Sequence, residues 1–244
     1  MQDISFYNIV FPILSLMPIF ALAIICLILK HGQLCPGQHS RIQAELITIW
    51  TVLFVGVMIG AETQTSTWVL VVGGLGGAYG ILLSIWQGKL PNKRAIPDKA
   101  IYFAMLPLTI YGLVLIWMQP SWFVLLPMAI TGAVLANLLL VKARHRLEAF
   151  NRLLPYGGIV GTILSLVLVS WTIYAAGEGL FNADMQRDLL WALGFLLLGL
   201  SLWVLPLVSD NPQSNTLLGI ATFLLLIAQI LTYEVVVLLT INMA

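Results

Sequence analysis

Eight apolar runs, each close to the length a helix needs to cross a bilayer, govern what this chain can fold into. They fall at about 9–29, 46–61, 67–86, 101–118, 121–141, 156–176, 189–208 and 216–241. Backbone embedded in lipid must satisfy its own hydrogen bonds, and a run of about 20 apolar residues does so as a helix. The expected fold class is therefore all-α: a polytopic bundle of about eight transmembrane helices, forming a single transmembrane domain over residues 1–244. The second run is short and reaches bilayer length by borrowing Ile42 to Glu45 at a tilt. Pro12, Pro18, Pro107, Pro127 and Pro206 lie within or at the ends of runs, where membrane helices tolerate them.

Charged residues make up 9% of the chain, against about 25% in soluble domains. A net charge of +1 leaves no basic field for nucleic acid. Met1 to Asn8 lacks the positive start of a signal peptide, so the first run is expected to persist as a helix. Cys26 and Cys35 are spaced neither as CxxC nor as a zinc pattern, and no metal-ligand set is expected. His31, His39 and His145 all sit in polar loops. A haem held by two membrane-embedded histidines is thereby excluded.

Orientation follows from the loops. Lys30 and Arg41 flank the first loop; Lys89, Lys93, Arg94 and Lys99 the third; Lys142, Arg144, Arg146 and Arg152 the fifth. Ten of the eleven basic residues thus share one side, with Arg187 on the other. The positive-inside rule makes the shared side cytoplasmic, and eight spans then place both termini outside. Outer segments are acidic or polar: 62–66, 119–121 and 177–188 with Glu178, Asp184 and Asp188. Trp68, Trp117, Trp122 and Trp171 fall where an outer aromatic belt belongs. Localisation in a bacterial inner membrane as a multi-pass protein is the matching expectation.

Two packing features stand out. Gly73/Gly77 and Gly76/Gly80 are small-xxx-small pairs that let helix backbones approach, and Gly157 and Gly161 are read the same way. Met17-Pro18 ahead of a run ending in Lys30 echoes Leu126-Pro127 ahead of one ending in Lys142. The echo suggests a weak 4+4 helix repeat, about 1–120 and 121–244, with parallel halves.

Glu234 is the chief functional candidate, because a carboxylate within an apolar span is costly. Gln229 and Tyr233 share one face of the same helix, being four residues apart. Glu62 and Gln64 begin a cluster of hydroxyls and amides, Glu62-Thr63-Gln64-Thr65-Ser66-Thr67, in the outer loop after the second span. These five form a candidate site for a head group or proton-handling ligand. The bland alternatives are a snorkelling carboxylate and a solvated turn.

The stretches Leu196-Leu197-Leu198-Gly199-Leu200-Ser201-Leu202-Trp203-Val204-Leu205-Pro206 and Leu224 to Leu231 resemble the membrane-anchor subunit of dimethyl sulfoxide reductase-type molybdoenzymes, the DmsC group. The glycine-rich third span, Leu126-Pro127-Met128 in the fifth, and Ala176-Gly177-Glu178 after the sixth resemble it in the same order. The resemblance implies an anchor that docks an iron–sulfur subunit and a molybdopterin catalytic subunit on the outer face. It further implies exchange of electrons with menaquinol or ubiquinol without haem, the clusters and molybdopterin residing in the partners. Where the family carries His-Leu-Gly after span two, this chain has Glu62-Thr63-Gln64, and the last-span Gly-Glu-Leu-x-Gly-Arg is replaced by Ala228-Gln229-Ile230-Leu231-Thr232-Tyr233. The quinol site is therefore either rebuilt from Glu62, Gln64, Gln229, Tyr233 and Glu234 or lost, which leaves a structural anchor or assembly subunit as one rival reading. A small membrane transporter, favoured by the repeat, is the other.

Overall fold

The computed structural model describes residues 5–91, 94–143, 148–177, 179–209 and 214–243, with side chains other than those at 148, 149 and 151. Lys93, Arg144, His145, Arg146, Glu178 and residues 210–213 lie outside the described residues. Eight helices long and apolar enough to cross a membrane follow one another: α1 (Phe6–His31), α2 (Pro36–Gly60), α3 (Thr67–Lys89), α4 (Asp98–Met118), α5 (Leu125–Lys142), α6 (Glu148–Ala176), α7 (Ala183–Val208) and α8 (Asn215–Met243). One 3-10 turn, Trp122–Val124, leads into α5. Among the described residues there is no strand. The chain is a polytopic integral membrane protein, as its apolar runs require.

Burial sorts the helices. In the most apolar stretch of each, 67% of α1 and 61% of α5 is buried, against 17% of α6 and 22% of α7. α1 packs against α2, α4 and α5; α5 packs against α6, α8 and α1. The core therefore runs along the α1–α5 contact, and α6 and α7 present large apolar side chains such as Leu164, Val167, Leu190 and Leu198 outward. The four belt tryptophans are all more than half exposed. They sit at the end of the bundle opposite the basic loops.

Glycine sets the close approaches. A β-carbon at Gly73 would stand 2.7 Å from the Tyr111 ring, one at Gly76 2.6 Å from Leu108, and one at Gly77 3.0 Å from Phe54. At Gly80 it would overlap the Trp50 indole. The α3 stripe thus lets α2 and α4 close on its two sides. In α6 the contacting glycines are Gly158, which faces Trp203, and Gly161, which faces Ile130. Gly157, expected to share this role, faces open space. Its place on the helix turns it away from both neighbours.

The second span also differs from expectation. It is not short: α2 is one 25-residue helix starting at Pro36. Its polar first turns look like loop by hydropathy but are anchored by side-chain bonds. Gln43, 1% exposed, accepts from the Ile96 amide at 2.8 Å and donates to the Ile96 carbonyl and to Asp98 Oδ1, both at 3.0 Å. His39 Nε2 lies 3.1 Å from Asp98. Gln87 of α3 accepts from the same Ile96 amide and donates to Ser40 Oγ and the Arg94 carbonyl. The α3–α4 connection is thereby clamped onto α2, its backbone groups satisfied where water is scarce.

Candidate functional site

At the face where α1 begins and α8 ends, opposite the basic loops, a cavity of about 770 Å³ opens between the helix ends. Its inner wall is apolar: Ile9 and Phe11 from α1, Leu115 from α4, Val237 and Ile241 from α8. Its rim is polar: Ser5 and Asn8 ahead of and within the first turn of α1, then Glu62, Thr63, Gln64 and Thr65 from the α2–α3 loop. Tyr233 and Gln119 close the floor, the tyrosine hydroxyl donating to Gln119 Oε1 at 2.8 Å. Gln119 Nε2 in turn donates to the Leu115 carbonyl at 3.1 Å, which fixes the amide's orientation.

The rim loop is preorganised by its own bonds. The amides of Ala61, Glu62 and Thr63 donate back to the carbonyls of residues 57–60, extending α2 by a tight turn. Thr63 Oγ1 donates to the Gly60 carbonyl at 2.6 Å and lies 2.7 Å from Thr65 Oγ1. Gly60 is required here, since any β-carbon would run into the Phe11 ring and Leu70. With the threonine hydroxyls engaged inside the loop, the exposed Glu62 carboxylate and Gln64 amide are presented to the cavity. Among the described residues lining it, Glu62 is the one that carries a charge. An acidic, amide-rich rim over an apolar wall suits a flat or apolar ligand that carries hydrogen-bond donors, and it repels anions.

Of the five residues expected from sequence, the structure brings Glu62, Gln64 and Tyr233 to this cavity. Gln229 is fully buried one turn deeper, away from the lining, and neither side-chain polar atom has a hydrogen-bond partner. Glu234 is half-buried and lies outside the lining. A step of about 100° around the helix separates neighbouring residues, so Glu234 turns away from the cavity that Tyr233 faces. Asn8 and Gln119 were not among the candidates. Gln119 meets Tyr233 across 114 positions of sequence, and no local pattern signals such a pairing. Among the described residues no group of three His, Cys, Asp or Glu side chains is placed to hold a metal ion. Cys26 and Cys35 are free thiols, the first buried and the second exposed.

An all-helical, eight-span bundle with a polar mouth at one face defines a multi-pass integral membrane protein. Residues 4–235 match a family described as an integral membrane domain, and the chain belongs to that family. It is 29% identical over 181 residues to a Haemophilus influenzae protein bearing the description "uncharacterized protein". That match spans 70% of this chain and 65% of the relative's length. No solved structure matches the chain.

Proposed function

We propose that the chain is the membrane anchor of an oxidoreductase complex in a bacterial inner membrane, and that its outer cavity receives a quinol head group. The observation that carries this reading is the cavity itself: an apolar wall continuous with the helix bundle, capped by Glu62, Gln64 and Asn8. Such a mouth matches a ring with hydroxyl donors arriving from the lipid. The resemblance to molybdoenzyme anchors supports the same face as the docking surface for an iron–sulfur subunit, with the molybdopterin subunit beyond it. When bound, a quinol supplies two electrons and two protons to such an assembly. Glu62 accepts a proton from a ring hydroxyl, the Gln64 and Asn8 amides orient the ring, and the Tyr233–Gln119 pair fixes the floor against which it rests. The clusters and the molybdopterin belong to the partners in this reading.

A transporter is the second reading, favoured by the pairing of helices. α1–α2, α2–α3, α3–α4 and α1–α4 in the first half have counterparts in α5–α6, α6–α7, α7–α8 and α5–α8 in the second. That pattern supports a 4+4 repeat with its halves joined through α1 and α5. Purification of the tagged chain in mild detergent, with metal analysis, separates the readings. Co-purifying iron and molybdenum (or tungsten) is the expected result, and a chain that emerges alone and metal-free sinks the anchor. With the complex in hand, Glu62→Gln is expected to cut quinol-dependent cluster reduction at least tenfold and leave assembly intact. Unchanged reduction would leave a structural anchor.

A further inference from the structure

We propose that the cleft between the cytoplasmic ends of α2 and α3 binds the phosphodiester head group of an anionic phospholipid from the surrounding leaflet. The cleft measures about 650 Å³ and lies at the opposite face from the cavity described above. Its inner part is apolar, formed by Ile47 and Ile85, which are 40% and 50% exposed and face outward from the bundle. Its rim carries Ser40 and Arg41, and the buried Gln87 closes it from within, its amide engaged by Ser40, Arg94 and Ile96. The boundary between the two zones is marked by Ser84, whose hydroxyl oxygen is buried and has no hydrogen-bond partner. Polar above and apolar below, at the depth where a helix bundle meets the head groups, is the profile of a phospholipid rather than of a soluble metabolite.

Charge decides which lipid. Arg41 is exposed, and its natural helical partner is Glu45, four residues on. Glu45 is already held by Lys142 of α5 at 2.7 Å. The other nearby carboxylate, Asp98, is engaged by His39 and Gln43. Among the described side chains, the acids at this end are thus committed elsewhere, and no acid lines the cleft. A guanidinium left uncompensated at the cytoplasmic interface presents donors in the fork geometry a phosphate accepts, and the unpartnered Ser84 hydroxyl lines the same cleft. The carboxylates that would have neutralised Arg41 are the same ones that hold α5 and the α3–α4 loop in place. Gln87 links the cleft to that loop, because it lines the one and binds the Arg94 carbonyl and Ile96 amide of the other.

The test is thermal unfolding of the delipidated full-length protein in a neutral detergent, with phosphatidylglycerol, phosphatidylcholine or inorganic phosphate added. Phosphatidylglycerol is expected to raise Tm by several degrees, and the other two to leave it unchanged. Arg41→Gln is expected to lose most of that shift while keeping the lipid-free Tm; Arg41→Lys, which keeps the charge without the fork, retains part of it. Ser84→Ala is expected to raise the half-saturating lipid concentration. Lys30→Gln, a charge removed at the same face outside the cleft, keeps the full shift. Equal stabilisation by phosphatidylcholine, or a full shift in Arg41→Gln, overturns the proposal. An equal shift with inorganic phosphate reassigns the site to a free anion and overturns the lipid as its occupant.

Discussion

The helix pairs α2–α3 and α6–α7 are built to different standards. α2 and α3 lie along one another, joined by Gly77, Gly80 and the Gln43–Gln87 clamp. α6 meets α7 far less extensively and is the least buried helix of all. Both pairs still share a device: a buried tryptophan seated on a glycine. Trp50 of α2 sits on Gly80 of α3, and Trp203 of α7 sits on Gly158 of α6. The difference lies in what is added to the knob: α2 and α3 are also joined through the bonds of Gln43 and Gln87 to the Ile96 backbone. Between apolar helices in lipid, close contact and polar bonds supply what the hydrophobic effect cannot.

The largest test of this comparison is to fill the knob sites. Gly80→Leu and Gly158→Leu each force a buried indole aside, and overpacking of this kind costs about 1–3 kcal/mol or more. Thermal unfolding in detergent should show both variants strongly destabilised; a wild-type Tm for either would mean that the tryptophans relocate freely. Next, Gln43→Leu strands the Ile96 carbonyl and removes partners from its amide and from Asp98, a loss of about 1–3 kcal/mol. It should also raise proteolysis of the loop between α3 and α4, whereas no substitution on α6 or α7 should do so.

Tyr233→Phe deletes the bond to Gln119 at a cost of about 1 kcal/mol, and its effect should be confined to the cavity end of the bundle. Glu45→Gln breaks the partly exposed pair with Lys142 and should cost about 0.2–1 kcal/mol, shrinking as salt is added. The smallest effect belongs to Gly157→Ala. With open space around it, the added methyl should stabilise the helix by about 0.5–1 kcal/mol, the opposite sign to the knob positions one residue and many residues away.

Much of this architecture is legible from hydropathy alone, because lipid permits so few alternatives for a run of twenty apolar residues. The exception is instructive. The start of α2 is polar enough to pass for a loop; a reciprocal cap between Cys35 and Gln38 with Pro36 at the first position begins the helix, and Gln43 ties it to residues more than fifty positions on. The same limit applied to the site. Glu62 and Gln64 announced themselves as a polar loop, and Tyr233 as a polar group in an apolar span, but a one-residue step around α8 removed Glu234 from the cavity. Gln229 shares a helix face with Tyr233 and is buried below it, where periodicity cannot report depth.

The clamp around Ile96 has a mechanical consequence. Because one amide is grasped from α2 and α3 at once, a push on the connecting segment is delivered to two helices rather than one. Loosening any one of the side-chain bonds to Ile96 is therefore felt by both helices, because α2 and α3 share the one backbone unit they hold.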